Sequence, residues 1–177
     1  SDEQYNINTL NGMLWNLSFK NKYGKISLKN IVNINSNDQT VVRSGQEIMN
    51  QFDRQSYAMW YTQNVLNSHQ LGGEHFLNTS KIKMNWSVGY SRLARTVPDL
   101  RRVTYQRAFI TDPNDPSQYT YSVPISSTAQ PEVAGRFYSN QLDHIMSAGY
   151  DISLPMDLGK VKNELKAGIY LQDRSRE

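Results

Sequence analysis

Cysteine is absent from the 177-residue chain, which excludes disulfide frameworks, cysteine-ligated zinc, iron–sulfur centres and thiol catalysis. The chain also lacks an apolar run of the roughly 18 to 20 residues that a transmembrane helix requires. A helical membrane protein is thereby excluded, whereas a membrane β-barrel is not, because its strands alternate and average out as polar. The formal net charge of +3 is too small to indicate a nucleic-acid partner.

The residues that are present favour strands and turns. Charged residues make up only 20% of the chain, while 11 Tyr and 3 Trp accompany many Asn and Ser residues. Helix surfaces prefer Ala, Glu, Lys and Leu, so these residue types suit strands and turns better than helices. The composition therefore predicts an all-β protein.

A hydrophobic period of two, which marks a strand with two different faces, recurs along the chain. In the sharpest example Ile82, Met84 and Trp86 alternate with Lys83 and Asn85. We predict about six strands of roughly ten residues, which is the length that a tilted strand needs to cross a bilayer. Their ranges are 13–20, 25–35, 56–68, 81–91, 144–154 and 161–172.

The connections between these strands alternate between short and long. Tight turns are predicted at 21–24 and 155–160, a moderate connection at 69–80, and long loops at 36–54 and 92–143. In an up-and-down antiparallel sheet every second connection lies at the same end. One end therefore has tight turns and the other has extended loops, as in outer-membrane barrels.

Local motifs refine the predictions for the connections. Gly24 is expected to supply a positive φ that closes the first hairpin. The capping-box spacing of Ser44–Glu47 predicts a short helix inside the first long loop. Asp112–Pro116 is a turn motif, and a small hairpin arm is predicted between 119–123 and 103–110.

Two architectures share the pattern: a transmembrane β-barrel and a soluble β-sandwich with one elaborated rim. Aromatic residues near strand ends favour the barrel, because the lipid-facing band of a barrel is flanked by aromatic girdles. The aromatic residues in question are Trp15, Phe19, Tyr90 and Tyr150. By the same alternation the predicted lumen-facing residues include Asn16, Ser18, Ser27, Lys29, Lys83, Asn85, Ser87, Ser147, Asp151, Lys166 and Gln172. The soluble alternative is a ligand-binding or glycan-binding module with 92–143 as its binding rim.

Several stretches resemble the barrel of TonB-dependent outer-membrane receptors, especially those with a carboxypeptidase-regulatory-like domain ahead of the plug. The most specific is Leu71–His75, followed by the alternating strand Lys81–Ser91 and then by Pro98–Arg102. Leu14–Lys20 and Leu165–Tyr170 are similar to further strands of such barrels. Family members are several times longer, with about 22 strands around a plug domain. The resemblance therefore implies that residues 1–177 form one partial barrel segment.

The resemblance also implies a function and partners. The parent protein would take up a large nutrient, such as a siderophore or a glycan, across the outer membrane of a Gram-negative bacterium. Its partners would be the TonB energy-transducing system, its own plug domain and outer-membrane lipid. A segment with unpaired edge strands is also expected to associate with itself. No nucleic-acid partner and no cofactor are predicted.

Candidate sites are few, and an enzyme is the least supported class because no catalytic signature is present. The densest charge cluster, predicted to attract an anionic ligand in the outer loop, is Arg92, Arg95, Arg101, Arg102 and Arg107. His69, His75 and His144 lack metal-ligand spacing, so no metal is predicted, and the first two are expected at a turn. Candidates for stacking on sugar rings are Tyr57, Trp60, Tyr61, Tyr119, Tyr121 and Tyr138.

Overall fold

The chain folds as one antiparallel β-sheet in a computed structural model that describes residues 1–77, 80–125, 127–128, 130–158 and 161–177. Six strands follow one another in the order β1-β2-β3-β4-β5-β6, which confirms the predicted all-β class. The sheet is not closed, so β1 and β6 form its edges. The strands are β1 Asp2–Lys20, β2 Gly24–Glu47, β3 Phe52–Leu77, β4 Ile82–Ala108, β5 Ala134–Leu158 and β6 Val161–Arg176.

The strands extend well beyond their predicted limits. The predicted loop 36–54 is wrong, because β2 continues to Glu47 and β3 begins at Phe52. The predicted loop 92–143 is also too long, since β4 ends at Ala108 and β5 begins at Ala134. Where both faces of a strand carry polar residues, the sequence shows no hydrophobic period of two, although the backbone still pairs with its neighbours. The pattern therefore located the strands without giving their full length.

The short helix predicted from the capping box Ser44–Glu47 is wrong, because these residues belong to β2 and β3 begins at Phe52. The Ser44 N–H donates to the Ser1 carbonyl at 2.9 Å, and the two Ser Oγ atoms lie 2.8 Å apart. Pairing with the N-terminal residue thus satisfies groups that a helix cap would otherwise use.

The first tight turn is confirmed, although not by the expected backbone conformation. The Asn21 N–H donates to the Gly24 carbonyl at 2.9 Å, and Asn21 Oδ1 accepts from the N–H groups of Tyr23 and Gly24. The φ of Gly24 is not positive, so that prediction is wrong. Glycine is required here for space, since a Cβ would lie 2.3 Å from the carbonyl oxygen of Glu74. The second predicted tight turn includes residues 159–160, outside those described.

The connection 109–133 holds the predicted turn. The Asp115 N–H donates to the Asp112 carbonyl at 3.2 Å, and Asp115 then caps a single-turn 3-10 helix at Pro116–Tyr119. The predicted hairpin arm is reduced to one bridge, in which Gln106 and Ser122 exchange hydrogen bonds of 2.8 and 2.9 Å.

The residues divide into two compact units. Unit 1 comprises Ser1–Leu10, Asn35–Gln63 and Arg95–Asn140. Its buried apolar side chains are Val97 and Leu100, each 5% exposed.

Unit 2 comprises Asn11–Ile34, Asn64–Ala94 and Gln141–Glu177. Its buried side chains among those described are polar, namely Asn30, Asp143 and Ser153, while large apolar side chains remain exposed. No second layer of the described chain covers the apolar side chains of unit 2. Among the described residues, no helix is long and apolar enough to cross a membrane.

Candidate ligand-binding surfaces

Unit 2 carries one polar and one apolar face, and β5 and β6 show this directly. Their register sets Ala148 opposite Leu171 and Tyr150 opposite Ile169 on one face. On the other face Ser147 lies opposite Gln172 and Ser153 opposite Lys166. Residues directly opposite in an antiparallel pair share a face, so apolar meets apolar and polar meets polar.

The polar face continues across β2, β3 and β4. Asn85 Nδ2 donates to Asp151 Oδ1 at 2.8 Å, and a Cβ on Gly149 would lie 3.2 Å from Ser87 Oγ. A cavity of about 430 Å³ opens on this face. Its lining includes Ser27, Lys29, Gln70, Glu74, Lys83, Asn85 and Ser87. These contacts bring six of the eleven residues grouped by alternation together on one face, namely Ser27, Lys29, Lys83, Asn85, Ser87 and Asp151.

Lysine side chains gather where the polar face of unit 2 reaches the first tight turn. A second cavity of about 470 Å³ is lined there by Lys20, Lys22, Lys25 and Lys83, with Glu74 as the acidic residue of its lining. The local charge of this surface is therefore positive. Such a surface attracts anionic groups, most strongly at low ionic strength.

The opposite face of unit 2 is largely apolar, and three pairs of polar side chains on it are hydrogen-bonded. Trp86 Nε1 donates to His75 Nε2 at 3.1 Å. The Tyr90 hydroxyl and His144 Nδ1 lie 2.8 Å apart, and their rings stack with centroids 6.0 Å apart. The cost of placing polar groups on an apolar surface is reduced because each has a partner.

Asn30 and His69 form the third pair on this face. Asn30 is 2% exposed, and its Oδ1 lies 2.7 Å from His69 Nδ1. Asn30 occupies a position between Leu28 and Val32 that alternation assigns to the apolar face, and this contact gives its side chain a polar partner there. Both His69 and His75 lie in β3, so their predicted position at a turn is wrong. No three His, Asp or Glu residues within the described ranges are placed to hold a metal ion.

The five arginines predicted to bind a ligand all lie on β4, so their predicted position in a loop is wrong. Arg92 belongs to unit 2 and the other four to unit 1. The twelve steps from Arg95 to Arg107 extend over about 40 Å of strand. Arg101 and Arg102 are consecutive, so their side chains leave opposite faces. The structure therefore does not bring the five guanidinium groups together.

Ion pairs within unit 1 engage two of these arginines. Asp99 accepts hydrogen bonds from Arg101 Nε at 2.6 Å and from Arg136 at 2.7 and 3.0 Å. The bond from Arg136, assisted by that from Arg101, lowers the pKa of Asp99. Arg107 Nε lies 3.1 Å from Asp53, and its guanidinium is 4.8 Å from the centroid of the Tyr121 ring. Arg136 was not predicted from the sequence, because the residues around it show no pattern that indicates an ion pair.

Arg102 instead lines a cavity of about 370 Å³ in unit 1. The other lining residues are Gln39, Val41, Arg43, Ser56, Tyr57, Ala58, Trp60, Leu100, Val103, Thr104 and Glu132. Trp60 is thus beside a cationic group, whereas Tyr57 packs edge-on against Tyr105 with ring centroids 6.3 Å apart. The aromatic residues predicted to stack on sugars do not form one platform.

A buried carboxylate joins the last two strands in unit 2. Asp143 is fully buried and accepts hydrogen bonds from Arg176 at 2.7 and 3.0 Å, from Arg174, and from Gln141 at 3.3 Å. The bonds from Arg176 and Arg174 hold the pKa of Asp143 far below its usual range. Leu142 and Glu177 exchange backbone hydrogen bonds beside it, at 2.9 and 3.0 Å. This cluster fastens the edge strand β6 to β5.

Neither a protein-family model nor a curated protein sequence matches the chain. The two faces of unit 2 and the cavities are the features of the chain that bear on its function.

Proposed function

We propose that the chain forms part of the β-barrel of a TonB-dependent outer-membrane receptor that takes up a large nutrient, such as a siderophore or a glycan. The observation that supports this proposal is the two-faced sheet of unit 2. One face carries Lys, Asn, Ser and Asp side chains, and the other carries exposed apolar side chains together with three hydrogen-bonded polar pairs. A barrel wall between lipid and a water-filled lumen requires this division.

The apolar face argues against the soluble alternative. A β-sandwich buries the inner face of each sheet against a second sheet. The described residues form a single sheet, and Leu17, Phe19 and Met146 remain 59–68% exposed. Apolar surface left in water costs about 25 cal/mol per Å² relative to burial. In the proposal, lipid provides the cover.

Strand length fits a receptor with a large extracellular part. β2, β3, β4 and β5 contain 24 to 27 residues each, whereas about 9 to 11 residues cross a bilayer. More than half of each strand would then project from the membrane. Long outer extensions of this kind are typical of outer-membrane barrels.

The remaining parts of the proposal concern partners and location. The parent protein would lie in the outer membrane of a Gram-negative bacterium and work with TonB and its own plug domain. The free edges of β1 and β6 would pair with further strands of the barrel or, in the isolated chain, with a second copy. No catalytic residue is assigned.

Tryptophan quenching by lipids brominated on their acyl chains tests the proposal. We expect strong quenching in a variant that keeps only Trp86, because its indole lies on the apolar face. A variant that keeps only Trp60 is the matched control, since Trp60 lines a cavity with Arg43 and Arg102. Replacements are to Phe in both variants.

Two results would contradict the proposal. One is equal quenching of Trp86 and Trp60 in the same vesicles. The other is a detergent-free monomer, established by size exclusion with light scattering, that unfolds cooperatively. That second result indicates that the chain covers its own apolar face.

A further inference from the structure

Most residues that line the Arg102 cavity of unit 1 alternate along three strands, and Tyr57, Val103 and Glu132 complete the lining. β2 contributes Gln39, Val41 and Arg43; β3 contributes Ser56, Ala58 and Trp60; β4 contributes Leu100, Arg102 and Thr104. Spacing by two places the contributions of each strand on one face. Ser56 Oγ lies 3.0 Å from Thr104 Oγ1, which aligns β3 with β4. Continuing this alignment sets Ala58 opposite Arg102, and Trp60 opposite Leu100.

Ala58 contributes a small side chain to the lining of the cavity. It lies opposite Arg102, with Trp60 two positions further along β3. The volume of about 370 Å³ falls in the range of small-molecule sites, which is about 300 to 1,000 Å³. Leu100 is buried below the opening, whereas Trp60 keeps 42% of its surface exposed. An indole surface is therefore available to a ligand.

The polar groups of the lining differ in whether they are already engaged. The hydroxyls of Ser56 and Thr104 bond each other, and Arg43 donates twice to Asp2, at 2.6 and 3.2 Å. Within the described ranges, Arg102 has neither a hydrogen-bond nor an ion-pair partner in the chain. Its guanidinium has a planar fork of donors that matches a carboxylate.

We infer that this cavity binds a small aromatic monocarboxylate, with the ring against Trp60 and the carboxylate on Arg102. An offset ring stack suits the exposed indole, and the aliphatic side chains of Val41 and Leu100 suit an apolar ring edge. Glu132 also lines the cavity and disfavours a second negative charge on the ligand. The role of this cavity as part of a nutrient-binding site rests on the proposed function.

Isothermal titration calorimetry with naphthoate, and with the neutral naphthalenemethanol as its isostere, tests the inference. The full chain is used in detergent micelles, with micelle blanks subtracted. We expect naphthoate to bind saturably and Arg102→Ala to weaken it about tenfold or more, because a charge-assisted bidentate contact is lost. Arg101→Ala is the matched control, since it removes the same charge from the opposite face and leaves affinity unchanged.

A second variant tests the shape of the site. Ala58→Leu fills the centre of the cavity and is expected to abolish binding of naphthoate while Arg102 remains. Strand content by circular dichroism and the unfolding midpoint show whether each variant is folded. Arg102→Lys keeps the charge but loses the fork, and an affinity between those of wild type and Arg102→Ala supports the bidentate contact.

Three results would overturn the inference. They are the absence of saturable naphthoate binding up to about 10 mM, equal losses in Arg101→Ala and Arg102→Ala, and equal affinity for the neutral alcohol. None of them affects the tryptophan quenching result, so the ligand site and the membrane proposal fail separately.

Discussion

Replacing Gly73 with alanine is expected to destabilise the sheet, although alanine suits a strand interior better than glycine. A Cβ at this buried position would lie 2.4 Å from Trp86 Nε1 and 2.5 Å from Trp86 Cε2. Carbon contacts are optimal at about 3.5 to 4.0 Å, so the indole must move by roughly 1 Å. The hydrogen bond from Trp86 Nε1 to His75 Nε2, now 3.1 Å, would then break.

The expected size of the effect combines three contributions. Loss of the indole hydrogen bond costs about 0.5 to 1.5 kcal/mol. Overpacking against a ring adds about 1 to 3 kcal/mol. The better strand preference of alanine offsets about 0.5 to 1 kcal/mol of this. We therefore expect Gly73→Ala to lower the free energy of unfolding by about 0.5 to 4 kcal/mol, with a central value of about 2 kcal/mol.

The neighbouring Gly72 provides the control. A Cβ there would lie 3.3 Å from the Trp86 carbonyl oxygen and 3.7 Å from Ser27 Oγ, so only a small adjustment is needed. Gly72→Ala is expected to change the free energy of unfolding by less than about 1 kcal/mol. Urea titration in detergent micelles gives both values, and near-ultraviolet circular dichroism reports the indole environment.

A double-mutant cycle completes the test. In a Trp86→Leu background the clash is removed, so the penalty of Gly73→Ala should largely disappear. A Gly73→Ala variant that is as stable as Gly72→Ala and leaves the indole signal unchanged would refute the predicted clash with Trp86.

Three further predictions concern charge and polar pairing. Because the pKa of Asp143 is lowered in the folded chain, its carboxylate stabilises the fold above the unfolded pKa of about 4, and this contribution is lost progressively as pH falls from that value toward the lower folded pKa. The protection factor of the Leu142 amide, which is its exchange rate relative to the intrinsic rate at the same pH, should therefore fall in acid, and Asp143→Asn should remove that dependence. Val88→Arg should weaken refolding into lipid vesicles by about 2 to 4 kcal/mol, whereas Asn85→Arg, on the polar face, should change it little. Asn30→Ala leaves an imidazole unpaired and should cost about 1 to 3 kcal/mol in urea titrations.

Each of these predictions has its own contradicting result. A protection factor at Leu142 that falls equally in acid in Asp143→Asn indicates that another group titrates. Equal refolding of the Val88 and Asn85 variants places both side chains in the same environment. An Asn30→Ala variant as stable as wild type indicates that water replaces the lost partner.

The strands and their faces follow from sequence wherever apolar and polar residues alternate sharply. Ile82, Trp86 and Lys83 show such alternation, and the structure places Lys83 on the polar face as predicted. The extension of β2 to Glu47 was not predictable in this way, because residues 36–47 are mostly polar on both faces. Backbone pairing with β1 orders them, and that pairing leaves no hydrophobic period in the sequence.

The candidate site was predictable only in part, because the register of β3 and β4 changes between the two units. Ser68 Oγ lies 2.8 Å from Ser91 Oγ, whereas Ser56 Oγ lies 3.0 Å from Thr104 Oγ1. Counting back from the first pair would place residue 103, not 104, opposite Ser56. A bulge shifts alternation in this way, and a single sequence does not locate it. The role of Arg102, as distinct from its neighbour, therefore required the structure.

The paired side chains on the apolar face constrain how this protein can change over evolution. Each imidazole there is satisfied by one neighbour on an adjacent strand, so a substitution at either position alone leaves a polar group unpaired on an apolar surface. Compensating changes must therefore arrive together, and related sequences should show covariation within three pairs of positions. These pairs are Asn30 with His69, His75 with Trp86, and Tyr90 with His144.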